Sequence, residues 1–142
     1  MLRLTPGVRE QVVSHCLAGV PEEACGLLGG IPQGDDVAAV MCWPGRNLAA
    51  SSTLYELDPG DHLRADREAE GKGLEIVGVF HSHTHTEAYP SPTDVARAPD
   101  PEWHYLLVSV ADEEPVLRSF HIREGVITEE PVEITSSEKG NS

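Results

Sequence analysis

The chain has 142 residues, of which 39% are apolar, and 24 acidic against 10 basic side chains give it a formal charge of −14. That length suits one domain and that apolar share suits an ordinary globule. No run approaches the roughly 18 apolar residues of a membrane span, and no Lys/Arg cluster offers the counterion release that binding to a phosphate backbone requires, so neither membrane nor nucleic acid is an expected partner. The opening MLRLTPGV lacks an apolar stretch long enough for a signal peptide. The cysteines, Cys16, Cys25 and Cys42, are odd in number and form no Cys-x-x-Cys, which points to buried thiols in a cytoplasmic protein.

In chain order, Thr5-Pro6 reads as an N-cap and first helical residue, and Val8, Val12, Val13, Cys16, Leu17 and Val20 follow at helical spacing up to a stop at Gly19. EACGLLGGI is expected as a short buried strand and VAAVMCW as its return. STLYEL, Ser52 to Leu57, reads as a further strand. Asp58-Pro59 opens a polar helix that runs to about Glu70. LEIVGVFHSH is the strongest strand signal, a β-branched run bounded by turn residues. SPTDVARA is a short helix; WHYLLVSV, PVLRSFHIR and VEI are strands; and residues 136–142 are a loose polar tail beyond a domain expected over 1–135. The order α, β, β, β, α, β, α, β, β, β predicts a mixed α/β fold with hairpins at both ends.

The chemistry gathers in HSHTHTEAYPSPTD. His81 and His83, two apart on a strand end, point to one face, about 6.6 Å apart along the strand, so both imidazoles can converge on one cation. Imidazole nitrogen suits zinc better than magnesium or calcium. SPTD is also a capping box, with Ser91 as N-cap and Asp94 three residues on, and a capped helix start is a rigid mount for a carboxylate. His81, His83 and Asp94 together make a two-nitrogen, one-oxygen set with a fourth tetrahedral position left for water, the pattern of catalytic zinc. Such a site needs a base for the water's proton and a donor for the developing oxyanion. Ser91 can donate. Spacing does not identify the base, and several acids could serve. Glu23, at the entry to an otherwise apolar strand, sits in an unusual setting, and strand alternation lets only one of Glu22 and Glu23 face the site.

EEACGLLGG and HSHTHTEAYPSPTD together resemble the JAMM (MPN+) metalloprotease pattern: Glu-x-Cys/Met-Gly-Leu upstream, then His-x-His, seven residues and Ser-x-x-Asp. NLAASSTLYELDP, HYLLVS and GVITEEPV extend the resemblance to the short bacterial, Mec-type branch of that family, whose members act on the ubiquitin-like sulfur carrier CysO. The resemblance implies a central mixed β-sheet with flanking helices, cytidine-deaminase-like. It implies one Zn2+ per chain held by His81, His83 and Asp94, Glu23 as general base and Ser91 as oxyanion helper. It further implies hydrolysis after the Gly-Gly tail of a ubiquitin-like sulfur carrier of the CysO, ThiS or MoaD kind, releasing cysteine in cysteine biosynthesis. Ser52 to Leu57 is expected to be an edge strand that pairs with that tail, and His85 to lie in a loop near the cleft mouth. A homodimer is compatible with the resemblance, although no exposed apolar stripe argues for it.

Competing readings are a JAMM-type protease acting on other modifiers or C-terminal extensions, a RadC-like protein and a non-catalytic MPN scaffold. The acidity weighs against RadC-like DNA repair, and the complete residue set weighs against a scaffold. A histidine-triad hydrolase needs apolar residues where Ser82 and Thr84 stand. His15, His62, His104 and His121 carry no expected role; His15 falls off the helix stripe and His121 is expected to face solvent.

Overall fold

The β-branched run that dominates the sequence lies near the middle of an eight-stranded mixed sheet in the computed structural model, which describes residues 1–136. The elements are β1 (Leu2–Leu4), α1 (Pro6–Gly19), β2 (Cys25–Gln33), β3 (Asp36–Gly45), α2 (Pro59–Gly71), β4 (Glu75–His83), α3 (Pro92–Ala96), β5 (His104–Ser109), β6 (Val116–Arg123), β7 (Val126–Glu130) and β8 (Val132–Ile134). The sheet order is β7-β6-β5-β4-β2-β3-β1-β8. β4 pairs antiparallel with β2 and parallel with β5. Two hairpin systems, β2–β3 and β5–β6–β7, flank this centre. The polar tail expected over 136–142 falls, from residue 137 on, outside the described residues.

β4 is buried from Val77 to His83 because both faces of the sheet are covered. On one face α1 inserts Val8, Val12 and Cys16 against Leu28, Phe80 and Leu106. On the other, Ala65 of α2 packs with Leu27, Val79, Leu107 and Phe120. The register between β2 and β4 shifts between Leu28 and Gly29, so Gly78 opposes Leu28 while Ile76 opposes Gly29. That extra residue, Val77, reverses the alternation, which is why Val77 shares the α1-side core with Phe80 although Val79 faces α2. Gly26 is required by packing: a Cβ there would lie 2.4 Å from the Phe80 ring. Among the described residues no helix is long and apolar enough to cross a membrane.

Three expectations differ from the structure. β1 and β7 were not anticipated, since a three-residue strand and a half-polar VITEE run carry too little pattern of their own. Ser52 to Leu57 is not a strand of the sheet: it makes only the isolated bridge Asn47–Leu57. It is an extended strap tied to the chain at 46–48. The Asn47 side chain donates to Leu54 O at 3.0 Å and accepts from Glu56 N at 2.8 Å, and Leu48 N donates to Glu56 O. Once the bonds of a segment are met by a side chain, it does not need a sheet neighbour.

Candidate metal and active site

His81 and His83 close β4 on the α2 face, both almost fully buried. α3 delivers Asp94 to them. Asp94 Oδ2 lies 3.2 Å from His81 Nε2 and 3.1 Å from His83 Nε2, and these ligand atoms all fall within 4.8 Å of one another. The aspartate is fixed by the expected capping box: Ser91 N donates to Asp94 Oδ2 at 2.9 Å and Asp94 N donates to Ser91 Oγ at 3.0 Å.

The donor set fits a cation. His83 Nδ1 contacts the Glu87 carbonyl at 2.8 Å; it must donate there, so neutral His83 turns the lone pair of Nε2 toward a carboxylate oxygen. Neither ring nitrogen of His81 has a hydrogen-bond partner, although both are buried. Lone pairs that converge in this way need a shared positive charge, a proton or a metal, and two imidazoles with one carboxylate are the ligands zinc takes. Protonation follows the same logic. Burial pushes His81 below its usual range against the pull of Asp94. Burial also opposes charge on His83, but Asp94 and the Glu87 carbonyl outweigh it and hold the ring above its usual value. Burial alone would raise Asp94; the adjacent imidazoles of His81 and His83 and the Ser91 N–H instead hold its carboxyl well below the ordinary carboxylate range.

Glu23 enters a cleft beside His83 from just ahead of β2. It is 5% exposed and its Oε1 is buried without a partner, while Glu22 is exposed. Glu23 N donates to Ser51 O at 2.7 Å, and Asn47 Nδ2 donates to Glu23 O at 2.9 Å. Burial, partly offset by His83 and reinforced by Asp94, pushes its carboxyl up to about 7, the range suited to a general base. Ser91 lines this cleft with Glu23 and His83. The Ser91 oxygen accepts from Asp94 N, which leaves its proton free to donate.

All five expected residues are therefore brought together. Three others had no visible signal. Ser82 Oγ accepts from Ala24 N at 2.9 Å, and Ser82 N donates to Ala24 O at 3.0 Å, clamping the entry of β2 to the end of β4. Asn47 braces both Glu23 and the strap. Tyr55, on the strap, stacks on His81 with ring centroids 4.3 Å apart and planes 22° from parallel. His85 lies in the loop after β4, lining the Glu23 cleft. A second group, His104, His121 and Glu130, also brings candidate ligand atoms together. Its carboxylate is already occupied: Oε2 accepts from His104 Nδ1 at 2.5 Å and Ser119 Oγ at 2.6 Å, and Oε1 faces the Met1 ammonium at 2.8 Å and His121 Nε2 at 3.3 Å. His121 is thus drawn inward by a buried acid instead of facing solvent. His15, for which no role was expected, is also engaged: its Nε2 lies 3.1 Å from the Cys25 and Gly45 carbonyls.

The family model for prokaryotic homologs of the JAB domain matches residues 5–123. The chain is 44% identical over 124 residues to CysO-cysteine peptidase of Mycobacterium tuberculosis strain H37Rv, covering 87% of this chain and 84% of that protein. It is 35% identical to a desampylase of Haloferax volcanii, covering 76% and 80% respectively. The solution structure of a protein from Desulfitobacterium hafniense superimposes with a TM-score of 0.91 at 35% identity, covering 99% of this chain and 97% of that one.

Proposed function

The chain belongs to the family of prokaryotic JAB-domain homologues, and from that premise we propose that it is a zinc peptidase that cuts after the C-terminal Gly-Gly of a ubiquitin-like sulfur carrier, releasing cysteine from a CysO-like protein. The observation that carries this reading is the meeting of a His81–His83–Asp94 ligand set with the unpartnered buried oxygen of Glu23, which lines a cleft with His83 of that set. The relatives' names, a CysO-cysteine peptidase and a desampylase, support the substrate class.

His81 Nε2, His83 Nε2 and Asp94 Oδ2 would hold the ion. Zn2+ bound there supplies a Lewis acid that polarises the scissile carbonyl and acidifies water. Glu23 accepts a proton from the attacking water as its oxygen joins the glycine carbonyl carbon. Ser91 donates its hydroxyl to the oxygen that becomes negative. The C–N bond then breaks, and Glu23 returns the proton to the departing nitrogen. The new acid ionises and the amine takes up that second proton, so one water is consumed for one carboxylate and one ammonium formed.

The test is to incubate zinc-loaded protein with a sulfur carrier ending in Gly-Gly-Cys and follow its mass. Loss of one cysteine, abolished by a chelator and by Asp94→Ala, is the expected result. An intact carrier, or cleavage that persists in metal-free protein, refutes the proposal. A carrier left intact while a lysine-linked conjugate is cut would favour the alternative of a JAMM-type protease acting on other modifiers.

A further inference from the structure

Two clefts flank the ligand cluster. One, of about 190 Å³, is walled by Tyr55, Leu57 and Trp103 beside Asp94. The other, of about 170 Å³, is lined by Glu23, His83 and Ser91 together with Ser52, Thr53 and His85. The chemistry above distinguishes them. A general base that returns its proton to the leaving nitrogen must lie on the leaving-group side of the scissile bond. Glu23 lines the second cleft and not the first, so the acyl side of the substrate falls toward Tyr55 and the amine side toward His85.

The amine-side cleft has a distinct character. At about 170 Å³ it lies below the roughly 300–1,000 Å³ of pockets for drug-sized ligands, which suits a small group. In a chain of net charge −14, it has no acid in its lining except the base itself. Its remaining polar groups are hydroxyls and an imidazole, the donors a carboxylate takes. They also form one braced unit. The buried Thr84 hydroxyl lies 2.8 Å from His85 Nδ1, 3.2 Å from Pro21 O and 3.5 Å from Ser52 O. Ser51, next in the chain, holds Glu23 N by its carbonyl and Thr53 N by its hydroxyl. The Ser52 hydroxyl and His85 Nε2 have no protein partner among the described residues.

We propose that this cleft is the leaving-group subsite and takes a single C-terminal residue with a free α-carboxylate, which the His85 ring and the Ser52 and Thr53 hydroxyls bind. The proposal rests on the Gly-Gly reading and narrows it: the enzyme removes a terminal residue in preference to opening a lysine isopeptide.

Three substrates on one carrier test it with zinc-loaded enzyme: Gly-Gly-Cys as the free acid, the same ending as a C-terminal amide, and Gly-Gly joined to a lysine side chain. A hydrogen bond to a charged group corresponds to about tenfold or more. The free acid should therefore exceed the amide in kcat/KM by at least about tenfold, mostly through KM. In His85→Ala, with zinc content equal to that of the parent, that preference should fall to about twofold. In His85→Gln, which keeps an N–H donor, part of it should return. Ser52→Ala should reduce it about threefold. Equal cleavage of acid and amide by the parent, an equal loss on both in His85→Ala, or preference for the isopeptide overturns this proposal and leaves Gly-Gly hydrolysis standing. No cleavage of any of the three overturns both.

Discussion

Replacing Glu23 with Gln removes the proton acceptor and leaves the shape of the site. Glu23 contributes no atom to the ligand cluster, so Glu23→Gln should retain zinc at parental stoichiometry while kcat falls by about 10²–10⁴-fold. The structure also predicts an effect on stability. Burial lifts the carboxyl from 4.5 to about 7, and that gap corresponds to about 3 kcal/mol. With the folded value raised, the native state keeps a proton that the unfolded chain has released. The metal-free parent therefore loses stability as pH rises from about 4.5 to about 7, and Glu23→Gln does not lose that share. Thermal melts of the two metal-free proteins, run in parallel from pH 5 to pH 8, should diverge in favour of the variant as pH rises. Elemental analysis of the zinc-loaded forms completes the assay. A variant that cannot hold zinc, or one that keeps activity within tenfold of the parent, would falsify the assignment of Glu23. Melts that stay parallel would show that the carboxylate is not strained by burial.

Tyr55 supplies the only ring contact that covers His81 from the strap, and His81 lacks a hydrogen bond to set its orientation. Tyr55→Leu should thus weaken zinc binding by about 10–100-fold, and Tyr55→Phe should preserve it in a competitive chelator titration. Ser91→Ala loses both a cap and a donor: a drop of about 0.5–2 kcal/mol in unfolding free energy should accompany a fall in kcat of about 10²-fold, with zinc retained. Glu130 behaves in the opposite sense to Glu23. Burial works against its charge, but His104, the Met1 ammonium and Ser119 outweigh it and bring the carboxyl down to about 2. Its contribution is present above pH about 4.5 and disappears as pH falls toward 2. Acid unfolding of Glu130→Gln should therefore be flatter across that window, as read by circular dichroism.

The two halves of the site were unequally legible in the sequence. His81, His83, Ser91 and Asp94 lie within one stretch, where strand period and capping chemistry constrain the geometry locally. The strap was misread because STLYEL has strand composition but spends its hydrogen bonds on Asn47, a side chain whose role no pattern announces. His121 was misread because its partner, Glu130, belongs to a strand whose pairing had not been anticipated.

Glu23 depends on a register that spacing along the chain does not contain. Once β2 is laid antiparallel to β4 with Cys25 opposite His81, each step toward the amino end of β2 advances one residue along β4. Ala24 then meets Ser82, and Glu23 meets His83. The backbone pairing of β2 ends at Cys25, so an ordinary ladder would fray before reaching the base. Ser82 extends it by one residue, accepting the Ala24 N–H with its own side chain and donating its N–H to the Ala24 carbonyl. The residue between the two histidines is thus a serine for a structural reason: it carries the register as far as the glutamate. The His-x-His motif serves two faces of one strand, with ligands on the α2 side and the clamp for Glu23 on the other. Ser82→Ala should accordingly lower kcat and leave zinc affinity within a few-fold, a split that loss of either histidine would not reproduce.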